Sequence, residues 1–538
     1  MQRHIFILLF FCVSFFSNAQ NKITYGSPYT VIDGHYKTYF SKLNLFLAVK
    51  VEAERLFVQV FDDSTLTERK KETFKLTSRH VLEKIVEIDG KCYIFSSLEN
   101  NKERNVSLYC REIDPDKTPM LREEKIVLKT QTKVYGIPIS HLYGSRPAQD
   151  NTEETTIRPK FNFEFSLNKE NIGIHYRPIN SSRDNMFVVH ILTKNLVEVS
   201  SKKTTFPFDV NDTRTLDYCI SKSGMIYIAS NVFNESIPAY KRVDGMYFPY
   251  HTIIVSIPLN NDFPLMHTIP FVDKNISGLK FAEDSSGSIH IGGYYFTGIN
   301  PANTKGLITG SLNSKGEVNP LYLHEISLDI INRYTDSTLS VSNNLKDNQS
   351  STVFEDLILK KVLIDDSNNI LIIGEQEFDI TKTKAHPNDR FQTDLIYHYN
   401  DILVAKITNE GTLLWMNRLA KRQMGGQEKG GLSYRHVRFN NMHYFLFLDN
   451  IKNENISYRT LPYGHINEQG GFLTAYIVDN TTGTVTRKSY LNLRNPTRFS
   501  LYHFNPTKIT RSNGNEIIVE FYKKMNEDIL IKINLDSK

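Results

Sequence analysis

A short polar turn followed by an alternating or wholly aliphatic run recurs along the chain. It stands at residues 88–95 (IDGKCYIF), 221–228 (SKSGMIYI), 283–292 (EDSSGSIHIG) and 365–374 (DDSNNILIIG), with weaker copies at 438–448 and 511–521. Turn residues bounding short runs rich in Val, Ile, Tyr and Phe predict strands joined by hairpins. Helical periodicity is hard to find. Even residues 413–422, which can be drawn as a helix, follow a turn and repeat a strand position.

The repeat divides into units of four antiparallel strands, A to D. In the second unit these are 81–87, 91–97, 106–113 and 124–129, separated by turns such as Asp89-Gly90. Further units span 160–207, 213–271, 277–328, 357–419, 431–493 and 505–538. The first, near 35–77, has clear B, C and D strands and a poor A strand. Four-stranded units recurring about every 45 residues predict an all-β propeller, eight-bladed with seven as the alternative. Residues 401–407 (DILVAKI) and 528–533 (DILIKI) read as the same C strand, and the chain stops after the second without a D strand. A strand from residues 22–32 is expected to complete that last blade and cover an otherwise open edge.

The wording is similar to that of bacterial secreted β-propeller repeat proteins. Their Asp-x-x-Gly-x-Ile-x-Ile-x-Gly phrase stands at 284–293, and their C-to-D phrase resembles 401–415. The resemblance is architectural. The families include scaffolds, binding proteins and some enzymes, and it carries over no catalytic residue.

Strand alternation sorts the loops by face. A-to-B and C-to-D connections emerge on one face and are short. D-to-A and B-to-C connections emerge on the other and hold the long inserts: 130–158, 234–250, 332–351, 379–400, 421–429 and 450–471. Long loops in compact domains concentrate binding groups. The inserts are rich in aromatic, histidine and arginine residues, so the binding candidates are His141, Tyr143, Arg146, Tyr240, Arg242, Tyr247, Tyr250, His386, Arg390, Tyr397, His398, Tyr463 and His465. The competing reading is that these side chains pack the loops onto the ring.

The first residues change the compartment. Arg3 and His4 precede an apolar core at 5–16, and Ser17-Asn18-Ala19-Gln20 gives a small-residue exit. This reads as a signal peptide of residues 1–20, and its ending resembles those of the Bacteroidota. Phe11 before Cys12 argues against a lipoprotein. The expectation is a single exported propeller over 21–538, periplasmic or secreted, with no later apolar stretch long enough to span a bilayer. The net charge of +5 over 538 residues and the lack of a basic run exclude nucleic acid as the expected partner.

Motif chemistry is sparse. His-Glu-x-x-His, Gly-x-Ser-x-Gly, P-loop and Cys-x-x-Cys patterns are all missing, and no cofactor or metal is expected. Asp284, Asp365 and Asp366 lack calcium-loop density and read as turn caps. Loop carboxylates such as Asp150, Glu153, Glu154, Asp244, Asp389 and Asp394 could serve a glycan hydrolase, but ordinarily they are just solvated. Cys92 and Cys110, symmetric about Asn101, would face each other across a regular hairpin. They are either a disulfide or two buried thiols, with Cys219 left free. The leading reading is a non-catalytic binder of a protein or glycan of the envelope or extracellular space. The alternative is a glycan hydrolase or lyase with its pocket at the central channel.

Overall fold

The computed structural model describes residues 23–536 apart from 33, 35, 53, 77–78, 137–159, 180–185, 207, 209–211, 234–249, 259–262, 270, 272–273, 299, 335–352, 386–390, 427–430, 467–469, 495–500, 504 and 524. It is an eight-bladed propeller of four-stranded antiparallel blades. Blade 1 is Tyr36–Lys42, Leu45–Glu52, Arg55–Asp62 and Glu68–Lys75. Its A strand, faint in the sequence, is held by full pairing with B from Tyr36↔Val51 to Lys42↔Leu45. Blade 2 runs from Val81–Ile88 to Lys125–Lys129, and blade 3 from Asn162–Phe165 to Glu198–Thr205. Blade 4 runs from Thr213–Ile220 to Leu265–Thr268, and blade 5 from Asn275–Glu283 to Tyr322–Glu325. Blade 6 runs from Leu357–Ile364 to Leu413–Leu419, and blade 7 from Tyr434–Phe439 to Val485–Asn492.

Blade 8 closes the ring. Its A strand is broken into Leu501–His503 and Thr510–Arg511, and its B and C strands are Glu516–Lys523 and Glu527–Asn534. The D strand is Ile23–Tyr25, antiparallel to C with Ile23↔Ile533, and Tyr29–Thr30 continues the pairing. The chain's two ends therefore share one blade, as the sequence predicts.

The aliphatic runs have a physical cause. A middle strand is buried on both sheet faces, so alternate residues enter different cores. In blade 1, Leu47, Val49 and Val51 pack with Leu82 and Ile94 of blade 2, while Phe46 and Ala48 pack with Ile518 and Leu530 of blade 8. Every blade junction has such a core. The repeated Asp turns cap themselves: Asp284 Oδ1 accepts from the backbone N–H of Ser286 and Ser288, and Asp365 Oδ1 from those of Ser367 and Asn369.

The structure corrects two expectations. Cys92 pairs with Ile113, and Cys110 with Phe95, because the B-to-C turn centres beyond Asn101, with Asn100 opposite Asn105. That offset puts Cys92 in the core shared with blade 1 and Cys110 in the core shared with blade 3, so both are free thiols on opposite sheet faces. Residues 379–400, expected as a loop, largely continue the strands. Ile370–Ala385 and Phe391–Ile407 form one hairpin arm paired out to Ala385↔Phe391. Alternating β-formers such as Phe378, Ile380, Leu395 and Tyr397 extend the ladder past the blade body.

Candidate binding face and central channel

The blade 6 arm rises from the long-loop face and gathers neighbours. Gln423–Gly425, in the connection to blade 7, pairs with Tyr397, His398 and Tyr399. His465–Ile466, from the B-to-C insert of blade 7, adds in parallel to Gln423 and Met424. The result is a supplementary sheet on that face. Strand alternation divides it. Gln423 and His465 point toward the ring and are buried. Phe378, His398, Met424 and Ile466 stand in one cross-strand row on the other side, with Ile380 and Ile396 two residues along. Ile380 is 41% exposed and Ile466 54%. His398 stacks on Phe378 with ring centroids 4.6 Å apart. Leu461 and Tyr463, just before the His465–Ile466 strand in the chain, are exposed as well, with the Lys452 ammonium 5.3 Å over the Tyr463 ring.

Buried ion pairs brace this platform. The Lys421 ammonium lies 2.9 Å from Glu375, both fully buried, and also donates to the Tyr399 carbonyl. Arg418 Nε donates to Asp401 at 2.6 Å, and Arg487 pairs with Asp449. Asn453 donates to Asp449 and to the Tyr463 carbonyl, pinning the blade 7 insert.

The binding candidates separate accordingly. His398 and Tyr463 lie on the outward side. Tyr397 lies on the inward register of the arm. His465 is buried, and burial followed by Arg494 lowers its pKa to about 4. Tyr250 opens a C strand, donates its hydroxyl to the Ile276 carbonyl at 2.8 Å, and packs on Phe233, so it fastens blade 4 to blade 5. His141, Tyr143, Arg146, Tyr240, Arg242, Tyr247, His386 and Arg390 lie outside the described residues. So do the carboxylates Asp150, Glu153, Glu154, Asp244 and Asp389, and the side chain of Asp394.

The A strands wall the central channel. Besides the broken A strand of blade 8, a bulge interrupts those of blades 2, 4, 5 and 6, between Leu82 and Lys84, Thr215 and Asp217, Ile276 and Gly278, and Leu359 and Lys361. Bulges re-aim side chains, and charged residues follow three of these. Asp217 Oδ1 lies 3.5 Å from the Lys280 ammonium, and Asp217 Oδ2 accepts from the Phe281 N–H at 2.8 Å. Burial still holds the Asp217 pKa above the usual carboxylate value. Burial, then Asp217, pushes Glu164 up to about 8 against the pull of Lys84 and Lys280. On the other side of the ring stand Lys361 and Arg435. Burial, then Arg435, lowers Lys361 to about 8, and burial lowers Arg435 although water reaches it.

The sequence reading missed these channel residues. A signal was present: Asp217, Lys280 and Lys361 each stand four residues before the residue that opens the turn, Ser221, Asp284 and Asp365. Among the described residues, no cluster of His, Cys, Asp and Glu could hold a metal ion. No described helix is long and apolar enough to cross a membrane.

No family model matches the chain, and no curated protein matches it. Among solved structures, the Dos1 propeller is similar at 6% identity over 95% of each chain, with a TM-score of 0.40. Dihydro-heme d1 dehydrogenase NirN is similar at 12% identity over 92% of this chain and 75% of that one, TM-score 0.36. The uncharacterized protein lmo1340 from Listeria monocytogenes EGD-e is similar at 11% identity over 83% and 94%, TM-score 0.30.

Proposed function

We propose that this chain is an exported, non-catalytic propeller, periplasmic or secreted, that binds a protein or glycan through its long-loop face. The observation that carries the reading is the supplementary sheet, with its outward row of Phe378, Ile380, Ile396, His398, Met424 and Ile466. A sheet braced by buried ion pairs and left partly apolar on its outer side is a rigid platform of the kind protein partners cover. Its aliphatic content favours a protein over a sugar. The test is capture from a cell-envelope extract and on a glycan array. The Ile380→Ser, Ile466→Ser double variant is expected to lose the partner while keeping its melting temperature. Equal capture by both proteins overturns the assignment to this face.

A second reading draws on Glu164 and Asp217. Burial raises both carboxyls, Glu164 to about 8 with the Asp217 charge adding to it, and a pair of carboxyl groups with one held protonated is the equipment of glycan hydrolysis or lysis. Polysaccharide turnover that is abolished by Glu164→Gln would establish it and displace the non-catalytic reading.

A further inference from the structure

The supplementary sheet is extended on one side only. The second strand of the arm, Phe391–Ile407, receives Gln423–Gly425, which in turn receives His465–Ile466. The first strand, Ile370–Ala385, is flanked by Leu357–Ile364 only as far as Leu357↔Gln376. There the flanking chain turns away. Asp356 has a φ of +54°, and Phe354–Glu355 pairs with Asn303–Thr304 of blade 5. At this corner the Glu377 N–H donates to the Asp356 carbonyl at 2.9 Å. Beyond it no described strand pairs with that edge of the arm, while the opposite edge stays paired out to Ala385↔Phe391.

In an antiparallel ladder the N–H and C=O of a residue point to the same side, and the side alternates along the strand. The Glu377 N–H faces the open edge, so the main-chain groups of Asp379, Thr381 and Thr383 face it too. Side chains alternate between the sheet faces in the same way. The outward row that starts at Ile466 and passes through Met424 and His398 therefore ends at Phe378, with Ile380 beside it, on the strand whose edge is open. Ile380 and Thr381 are both exposed. Open edges are usually guarded by charge. The outer strand of blade 1 carries a charge at every position from Glu68 to Glu72, whereas Phe378–Thr381 carries only Asp379, with Lys382 and Lys384 following toward the tip of the arm.

We propose that this edge takes up an extended segment of a partner protein as an added strand, paired with residues 379–383. The segment would carry an apolar residue at every second position, on the side of Phe378 and Ile380. The opposite side of the sheet already holds two short segments gathered this way, one antiparallel and one parallel. Main-chain rungs supply the affinity of such an addition, and the continued apolar row supplies the selection. The proposal rests on the reading of the long-loop face as a protein-binding face, and adds the form of the partner, a strand.

The probe is a displayed library of random peptides panned on the full chain. Peptides that bind are expected to alternate apolar and polar residues. Amide hydrogen exchange on the wild type should find Asp379 and Thr381 fast in the free protein and slowed by a selected peptide, with Phe378 and Ile380 slow throughout. Thr381→Pro removes an N–H from the open edge and leaves the rungs to Phe391–Ile407 in place. It should weaken the selected peptide roughly tenfold or more, at an unchanged melting temperature, while Thr381→Ala binds as the wild type does. The exchange measurement decides independently of whether the proline variant folds. Slow exchange at Asp379 and Thr381 in the free protein would show the edge covered by the chain itself and overturn the proposal. So would a library that yields no binder, a selected peptide that leaves these amides fast, or one that binds wild type and Thr381→Pro alike. If the Ile380→Ser, Ile466→Ser variant loses its captured partner and Thr381→Pro keeps it, strand addition falls and the face remains. If both keep it, both readings fall.

Discussion

The Lys50 ammonium lies 2.6 Å from Glu520 Oε2, and both side chains are fully buried although 470 positions separate them. Tyr29 of the N-terminal strand and Tyr39 of blade 1 donate their hydroxyls to the same carboxylate at 2.6 and 2.7 Å. The closing blade, its added strand and blade 1 thus meet at one charge. Burial pushes the Glu520 carboxyl up, but Lys50, Lys508 and Lys37 together outweigh it and hold the group ionised far below its usual range.

Glu520→Gln leaves Lys50 buried with only Asp528, at 3.4 Å, to answer it. The expected loss is about 3–5 kcal/mol in urea unfolding, the usual result of orphaning one partner of a buried pair. The sign follows from the depressed folded-state pKa. The stabilisation is present above the unfolded value near 4.3 and declines as pH falls below it. An unfolding midpoint unchanged by the substitution would refute the role of this charge in closure.

Acid should weaken the fold earlier through histidines. Burial lowers His175 to about 3 and His465 to about 4, and lowers His436 and His443 as well. His436 Nε2 and His443 Nδ1 are 3.0 Å apart, and His443 Nε2 meets Asn480 Oδ1 at 3.1 Å. Unfolded histidines take up protons near pH 6.5 that these native ones refuse. Their contribution is therefore complete above that value and lost as pH drops toward the folded-state values, at roughly 1.4 kcal/mol per pH unit for each. His175 packs on Phe187 and Tyr218, and its Nε2 has no hydrogen-bond partner. His175→Phe is expected to flatten the dependence of the urea midpoint between pH 7 and pH 4 (about one histidine's share); an unaltered slope would contradict this.

Gly374, the last residue of a repeated phrase, admits a side chain from the preceding blade. A methyl group there would overlap the Tyr294 hydroxyl, which is buried and has no hydrogen-bond partner. Gly374→Ala is expected to cost about 1–3 kcal/mol by overpacking. Tyr294→Phe alone should be neutral or mildly stabilising, since it removes an unsatisfied polar group. Combined with Gly374→Ala it should recover part of the loss. Additive effects in the double-mutant cycle would show that the two residues do not meet.

The thiols should stay reduced in air. Burial first raises the pKa of both, Cys110 to about 11, and leaves little thiolate to react. Intact mass after alkylation is expected to show Cys92 and Cys110 unmodified in the native protein and both modified after denaturation without reductant. A Cys92–Cys110 crosslinked peptide would contradict the register of the blade 2 hairpin.

The architecture was legible because a propeller repeats one local arrangement. Self-capped Asp turns and doubly buried middle strands leave the same phrase in successive blades, and the twin C strands at 401–407 and 528–533 revealed the missing strand of the last. The division of loops between faces follows from alternation alone. The register of individual hairpins does not, and that is why Cys92 and Cys110 do not face each other and the buried-thiol reading holds: a turn displaced by an odd number of residues exchanges the sheet faces. The arm formed by Ile370–Ala385 and Phe391–Ile407 was hidden because alternating aromatic and polar residues suit a long strand and a rich loop equally.

The sequence alone determined the class of fold, the closure of the ring and the face that bears the inserts, since these depend on local turns and period-two burial. Only the tertiary structure decided which side chains meet. It turned His465 inward and left Ile466 out, gave Lys50 the distant Glu520, and brought Asp217 to Lys280 of the next blade. Such juxtapositions arise between blades, across separations for which the order of residues along the chain holds no local signal.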